Sequence, residues 1–307
     1  MRNGETIAVA QAISLVEKNR EGKEELLDML FPYSSEALLL GITGPPGSGK
    51  SSIVDRLIAL ERTSGHRVGV LAVDPSSPFT GGALLGDRVR MQRHAGDPGV
   101  FIRSMATRGY LGGVSPATSD AAKICAAAGY DTVIIETIGV GQSEVEVVEL
   151  ADIILLVLVP GAGDEVQIMK AGIMEIGDYL VVNKCDREGA ERLKTEIEYV
   201  LQLANAERDA GVLLTSAKTG EGIDELHERI SDRVKSMKES GDLDARRAAR
   251  LKLELRKILH QKLHEMLESH LEIDDRIDAW IDMLVQGKSV PYRLIQSKIE
   301  EFKEGVR

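Results

Sequence analysis

Short apolar runs alternate with longer stretches in which apolar residues recur every three or four positions, and this alternation governs most of the chain. Runs at 37–43, 67–73, 99–103, 131–136, 152–159, 178–183 and 211–215 read as strands covered on both faces. The stretches between them read as amphipathic helices, so the expected fold is α/β, a mostly parallel sheet with helices on both sides. Residues 1 to about 36 read as a helical prelude. Val9, Ala12, Ile13 and Val16 fall at helical spacing there, and a second helical stretch runs from Glu24 to Phe31. Past Lys238 the segment Glu239-Ser240-Gly241-Asp242 breaks the pattern, and no strand-like run follows. Leu251, Leu253, Leu255, Ile258, Leu259, Leu263, Met266 and Leu267 then make a broad apolar stripe, with further helices at 273–284 and from Pro291. The chain therefore divides into a helical extension at 1–36, an α/β domain at 37–240 and a helical region at 241–307. The stripe needs cover, either from the α/β domain or from a second copy of the chain.

Composition narrows the functional classes. With 307 residues, 43% of them hydrophobic, the chain is long enough for one α/β core with helical additions. A formal charge of −11 argues against non-specific binding to nucleic acid or anionic membranes, while leaving room for a local basic site. Cys125 and Cys185 are far apart and have no metal-ligand spacing, which fits a reducing compartment; the cytoplasm is the expected location. The first residues mix Arg2, Glu5, Glu17, Lys18 and Arg20, unlike a signal or transit peptide, and the longest apolar runs are too short to span a bilayer.

The chemistry starts after the first strand. Gly44-Pro-Pro-Gly47-Ser48-Gly49-Lys50-Ser51 matches G-x-x-x-x-G-K-[ST] between an apolar strand and an amphipathic helix. Such a loop wraps backbone N–H groups of Gly44, Gly47, Ser48, Gly49, Lys50, Ser51 and Ser52 around phosphate oxygens at the positive end of a helix dipole. Lys50 would stand between the β- and γ-phosphates as a catalytic cation, and the Ser51 hydroxyl would meet Mg²⁺. A tight turn that merely needs glycine is the competing reading, and the flanking strand and helix speak against it.

The loop does not distinguish ATP from GTP. The strand at 178–183 ends in Asn183-Lys184-Cys185-Asp186, an N-K-x-D element. Its Asp186 carboxylate would accept hydrogen bonds from guanine N1–H and the 2-amino group. Adenine would face that carboxylate with an acceptor, at a cost of roughly a few kcal/mol. Lys184 would lay its stem over the ring, and Asn183 would tie this loop to the phosphate loop. Ser216-Ala217-Lys218 after the last strand matches an S-A-K element, with the Ala217 N–H expected to face guanine O6. A polar loop alone would explain a lone N-K-x-D; the ordered series of three elements is harder to explain that way.

Glu136 ends the fourth strand three residues before Gly139, where a D-x-x-G element would place its acid. It could hold Mg²⁺ directly or through water, and the Gly139 N–H could sense the γ-phosphate. Asp74, at the end of the second strand, and Asp87, in the following Gly- and Pro-rich stretch, are further metal or water ligands by position, although helix caps and turns also use such acids. The segments 74–88, 137–143 and 160–170 stand where mobile switches would. Arg103, Arg108 or Lys170 could supply positive charge to the γ-phosphate. No glutamine directly follows Gly139, although Gln142 is near, so slow hydrolysis raised by a partner is expected. His260 and His264, one helical turn apart, read as a solvated helix face, and Cys185 as a packing residue.

Together these residues resemble the GTPase chaperones associated with methylmalonyl-CoA mutase, some of which carry an older label as transport kinases. The resemblance rests on 44–51, on Val73–Met91, on Arg103–Gly109, on Glu136–Glu144, and on Pro160–Glu165 with Lys170–Ile176. It implies a GTP- and Mg²⁺-binding homodimer, joined through the C-terminal helices, that gates cofactor loading and protects an adenosylcobalamin-dependent mutase. By matching position, Lys50 and Ser51 would hold phosphate and metal, Asp74, Asp87 and Glu136 the metal shell, and Asp164 to Lys170 an additional switch. Ile168 and Cys185 depart from the family's usual small residues. A nickel-delivery GTPase is the nearest alternative, but neither a His-rich tract nor paired cysteines are present. An ATP-using kinase is opposed by Asn183–Asp186, and a non-catalytic nucleotide-dependent module is the remaining possibility.

Overall fold

A computed structural model of the chain describes residues 5–34, 36–74, 91–106, 116–137, 147, 149–161, 177–203, 211–271 and 273–305. Seven strands are present among them: β1 Leu38–Thr43, β2 Val68–Asp74, β3 Val100–Ala106, β4 Thr132–Glu136, β5 Ile153–Leu158, β6 Tyr179–Asn183 and β7 Val212–Thr215. They form a single sheet in the order β3-β2-β4-β1-β5-β6-β7, with each neighbouring pair parallel. The seven runs read from hydropathy are these strands, displaced by a few residues at most. The helices are α1 Thr6–Glu17, α2 Lys23–Leu30, α3 Lys50–Thr63, α4 Pro116–Ala127, α5 Ala190–Leu203, α6 Ile223–Ser240, α7 Asp242–Leu271, α8 Ile273–Val285 and α9 Pro291–Gly305. The chain falls into two compact units, Met1–Asp244 and Ala245–Arg307.

Strand periodicity separates the two sides of the sheet. Leu40, Ile42, Val68, Val70, Ile134, Ile153, Leu155, Val157, Val181 and Leu213 point to one face, which α3 covers with Ile53, Val54, Leu57 and Ile58, and α6 with Ile223, Leu226 and Ile230. The alternate positions face the other way. Leu39, Leu71, Val73, Val133 and Ile135 pack under α1 and α4, while Leu156, Leu158, Leu180 and Val182 pack under α5. Each fully buried aliphatic side chain contributes roughly 1.5–3 kcal/mol. Val9, Ala12, Ile13 and Val16, the predicted apolar face of the first helix, are all buried in this layer, so α1 is part of the sheet's core.

Carboxylates at the entrances of β5 and β6, one buried and one half-buried, bond the backbone of neighbouring strands. Asp152, fully buried, accepts the Leu39 N–H at 3.0 Å while its own N–H reaches Leu39 O at 2.7 Å. Asp178 accepts the Ile154 N–H at 3.0 Å. In the sheet's register Ile42 lies opposite both Glu136 and Leu155, and Asn183 opposite Thr215. The polar residues that end β1, β4, β6 and β7 therefore share one edge of the sheet. Strand order reverses at β1, and ligands of open parallel sheets bind at such a reversal, beyond the carboxyl ends.

In the second unit Leu271, Trp280 and Leu294 form a small core with Leu267, Ile273, Leu284 and Phe302, and the His270 ring meets Phe302 edge-on at 5.0 Å. Leu255, Leu259, Leu263 and Met266 of the predicted stripe are exposed. His260 lies on an exposed face as well, and His264 pairs with Glu268 at 3.1 Å.

At the end of the sheet opposite the strand carboxyl termini, Glu61 of α3 accepts hydrogen bonds from His227 Nε2 of α6 at 2.8 Å, His66 Nδ1 at 2.8 Å and Thr132 Oγ1 at 3.1 Å. Burial pushes the Glu61 carboxyl up, but the hydrogen bonds from His227 and His66 and the His227 charge outweigh it and hold Glu61 below its ordinary value. His227 is held above the usual imidazole value by its hydrogen bond to Glu61, which outweighs its burial, and by the charges of Glu61, Asp224 and Glu228. A raised imidazole stabilises the fold fully below its unfolded value of about 6.5 and loses that contribution as pH rises through the folded value. A depressed carboxyl stabilises it above its unfolded value of about 4.3 and loses that contribution as pH falls through the folded value. The pair is thus strongest between about pH 4.3 and 6.5. His227→Gln should destabilise the protein by roughly 1 kcal/mol more at pH 6 than at pH 8.5, as read by urea unfolding. A cost equal at both values would contradict this coupling.

Candidate functional site

The phosphate loop leaves β1 and enters α3, and its geometry leaves no room for side chains at two glycines. Gly44 has φ 137°, and a Cβ there would lie 2.1 Å from Val157 O; Gly49 has φ 94°, and a Cβ would lie 2.3 Å from Asn183 Nδ2. Lys50 is buried, with Nζ donating to Gly44 O at 2.7 Å and Pro45 O at 3.1 Å. Its ammonium therefore sits at the loop, where the α3 N-terminus also turns its N–H groups outward. Ser48 Oγ is buried with no hydrogen-bond partner among the described residues, a polar group that an anion seated in the loop would satisfy. Ser51 Oγ donates to Glu136 Oε1 at 2.6 Å, both side chains being buried. This brings together the two residues that sequence placed 85 positions apart as metal ligands.

Asn183 joins this loop to the two loops that carry the N-K-x-D and S-A-K elements. It is 2% exposed, and its Nδ2 donates to Ser48 O at 2.7 Å while its Oδ1 accepts the Ala217 N–H at 3.1 Å and the Thr215 hydroxyl at 3.4 Å. The Ala217 N–H, expected to face guanine O6, is thus directed at Asn183. The reason is the turn at 216–221, closed by Ser216 N to Glu221 O and Gly220 N to Ser216 O, which folds Ala217 back toward β6. Lys184 has φ 62°, a left-handed conformation that costs about 1 kcal/mol or more outside glycine and is typical of functional loops. Its Nζ donates to Gly47 O at 2.6 Å, and partial burial lowers its pKa. Asp186 accepts the Ser216 hydroxyl at 2.7 Å, which with other nearby groups holds its carboxyl below the ordinary value and keeps it ionised. Cys185 packs against the α5 cluster, and burial raises its thiol pKa; burial pushes Cys125 up to about 12.

A cleft of about 490 Å³ opens over these groups, lined by Gly49, Asn183, Lys184, Asp186 and the Ser216–Lys218 turn. It also takes in Ser52, Asp55, Arg56, Arg93 and Arg187, of which only Ser52 was expected from the motifs. Arg93 forks onto Asp55, with Nε to Oδ1 and Nη2 to Oδ2 both at 2.6 Å, and His94 Nε2 lies 3.0 Å from Oδ1. The chain that returns after residues 75–90 is thereby fastened to α3 beside the cleft.

The backbone of Asp74 closes β2 two residues past the level of Glu136, since Ala72 pairs with Glu136. Asp87, Arg108, Gly139 and Lys170 lie outside the described residues. Arg103 is committed elsewhere: Nη2 bonds Glu17 Oε2 and Ser14 Oγ, and Nη1 bonds Ala10 O, so it anchors α1 to β3. It faces the α1 layer because β3 alternates and its i±2 neighbours, Phe101 and Met105, belong to that apolar layer. This removes Arg103 as a source of charge for a phosphate.

Because Gly49 has room only for Asn183 Nδ2, the Gly49→Ala and Asn183→Ala effects should be non-additive. Asn183→Ala should cost roughly 2 kcal/mol of stability and weaken binding of a fluorescent GDP analogue at least about tenfold, since it leaves buried backbone groups unpaired. Adding Gly49→Ala should then cost less than it does alone, the remainder being the strain of a side chain at φ 94°. Full additivity in melting and titration experiments would contradict the contact.

The family described as "Methylmalonyl Co-A mutase-associated GTPase MeaB" matches residues 9–272. A relative from Pyrococcus horikoshii, named as a GTPase, is 49% identical over 261 residues, covering 83% of this chain and 82% of that protein. GTPase ArgK of Escherichia coli is 40% identical over 253 residues, covering 79% and 76%. A crystal structure described as an LAO/AO transport system kinase superposes with a TM-score of 0.70 at 28% identity, covering 98% of this chain and 95% of that one. The parallel sheet with its helices is the fold that this structure shares, and the chain belongs to the MeaB family of P-loop GTPases.

Proposed function

We propose that this GTPase is a Mg²⁺-dependent chaperone of an adenosylcobalamin-dependent acyl-CoA mutase of the methylmalonyl-CoA type, gating cofactor loading and protecting the mutase. The observation that carries the reading is the family match over residues 9–272, whose description names a mutase association. The solved structure at a TM-score of 0.70 is described as a transport system kinase, a reading that the N-K-x-D loop Asn183–Asp186 opposes. The reading takes the protein to be a cytoplasmic homodimer. No helix among the described residues is long and apolar enough to cross a membrane, and the exposed Leu255, Leu259, Leu263 and Met266 offer a face for a second copy.

Within the site, Lys50 neutralises the β- and γ-phosphates, and the loop N–H groups of Gly44–Ser52 hold their oxygens. Ser51 and Glu136 supply hard oxygen donors 2.6 Å apart, a set that fits Mg²⁺, with Asp74 and Asp87 as further ligands of the shell. Bound there, the ion would offset the negative charge that develops between the β- and γ-phosphates. Asp186 accepts from guanine N1–H and the 2-amino group, Lys184 covers the ring, and Asn183, Ser216, Ala217 and Lys218 hold these loops. Gly139 and Lys170 are the γ-phosphate sensor and the switch cation of this reading.

Lys50→Ala should lower GTP hydrolysis by at least about 100-fold, as removal of one preorganised charge-stabilising group does elsewhere. Asp186→Asn should shift preference from guanosine toward xanthosine nucleotides, because the amide donates where xanthine carries an oxygen. An undiminished rate in the first, or unchanged base preference in the second, would overturn these roles. The partner is tested by co-purification with candidate cobalamin-dependent mutases and by their effect on the GTPase rate. Complex formation with a raised rate is expected, whereas neither binding nor stimulation would overturn the chaperone reading and leave the GTPase assignment intact.

A further inference from the structure

Arg56 belongs to none of the nucleotide motifs, yet it connects two of them. It stands on α3 six residues after Lys50, and its neighbours Ile53, Val54, Leu57 and Ile58 bury the opposite side of that helix in the sheet's core. From there Arg56 Nε donates to Ala217 O at 2.9 Å and Nη2 donates to Lys218 O at 3.0 Å. The two acceptors are successive carbonyls of the S-A-K turn, 161 and 162 residues away in sequence. A guanidinium presents its donors in a fixed planar fork, so holding two adjacent carbonyls fixes the orientation of the peptide between them as well as its position.

That turn orients the base-reading acid. Ser216 donates to Asp186 Oδ1 at 2.7 Å, and Ala217 N–H donates to Asn183 Oδ1 at 3.1 Å. A displacement of the turn would carry Ser216 away from Asp186 and leave the carboxylate free to rotate. The same helix that begins at the phosphate loop thus grips the base loop one and a half turns later. Arg56 also lines the nucleotide cleft.

We propose that Arg56 is a positioning residue for guanine recognition: it clamps the Ser216–Lys218 turn to the phosphate-binding helix, so that Asp186 is held at the right distance and angle from a nucleotide whose phosphates are seated at Gly44–Ser51. The inference rests on the reading that Asp186 receives the guanine edge. It makes the separation between phosphate cradle and base acceptor a property of one rigid helix and one fork of hydrogen bonds. The base loop then contributes to affinity without reorganising when nucleotide arrives.

The test compares GDP with ribose 5-diphosphate, which keeps the phosphates and lacks the base, by titration calorimetry on the full chain. Arg56→Met should weaken GDP at least about tenfold, the equivalent of one well-made hydrogen bond, and leave ribose 5-diphosphate unchanged. The KM for GTP should rise while kcat at saturation stays within twofold. Arg56→Lys, which reaches one carbonyl, should recover part of the loss. A general disturbance of α3 would weaken both ligands together, and that result, or GDP binding unaltered in Arg56→Met, would overturn the proposal. Wild-type protein that bound ADP as tightly as GDP would instead overturn the guanine reading on which it rests.

Discussion

One buried amide holds the nucleotide end of the molecule together. Asn183 ends β6 and is almost wholly shielded from water, so each of its polar atoms must find a partner inside the protein. It finds them on two loops that the chain visits more than 130 residues apart: Ser48 O of the phosphate loop and the Ala217 N–H beyond β7. Neither loop could be displaced alone without stranding a hydrogen-bonding group at a cost of roughly 1–3 kcal/mol. The closeness also explains Gly49, whose missing Cβ is the space that the amide occupies. A phosphate cradle and a base cradle that share one amide behave as a single preorganised surface.

The sheet makes that sharing possible. All strands run parallel, so every polar residue that terminates a strand emerges on the same edge, and register decides which ones become neighbours. Glu136 reaches Ser51 because β4 lies beside β1, with Ile42 opposite Glu136. Asn183 lies level with Thr215 because β6 pairs with β7. The carboxylates of Asp152 and Asp178 at the opposite ends of the strands hold β1, β5 and β6 from slipping, so residues far from the cleft set the distances within it. A slip of one residue would turn Leu40, Ile42 and Leu155 away from the face they now bury, which makes the register expensive to change.

Much of this is legible in the amino-acid sequence, for physical reasons that differ by element. The strands could be read because burial on both faces leaves a run of apolar residues, and α1 because Val9, Ala12, Ile13 and Val16 repeat at the helical period. Glu136 and Asn183 could be read because each ends a strand, Lys50 and Ser51 because they open the helix that follows one, and Asp186 because it lies in the loop after β6, each within a local pattern. What escaped were pairings made by topology. Nothing near Arg56 in sequence points to a carbonyl 161 residues away, and nothing near Glu61 points to His227, 166 residues away. Of Arg103, Arg108 and Lys170, the three candidate cations for the phosphates, Arg103 lies on the α1 face, as its alternation with Phe101 and Met105 requires. A charged residue at an apolar-facing strand position needs a partner there, and Glu17 supplies it.

Helix α3 gains a second meaning from these long-range pairings. Its first turn belongs to the phosphate loop, its second turn grips the S-A-K turn through Arg56, and its last turn holds α6 through Glu61 and His227. Since α6 follows directly from the S-A-K turn, the helix restrains that segment at both ends. Asp55, next to Arg56 on the side of the phosphate loop, fastens Arg93 and His94, the point where the chain returns after residues 75–90. Nucleotide contacts, base loop and the return of that segment therefore meet on one rigid element whose apolar side is locked in the core. A change in how phosphate engages the start of α3 would be felt at Asp55 through about one turn of helix, with no flexible link between them.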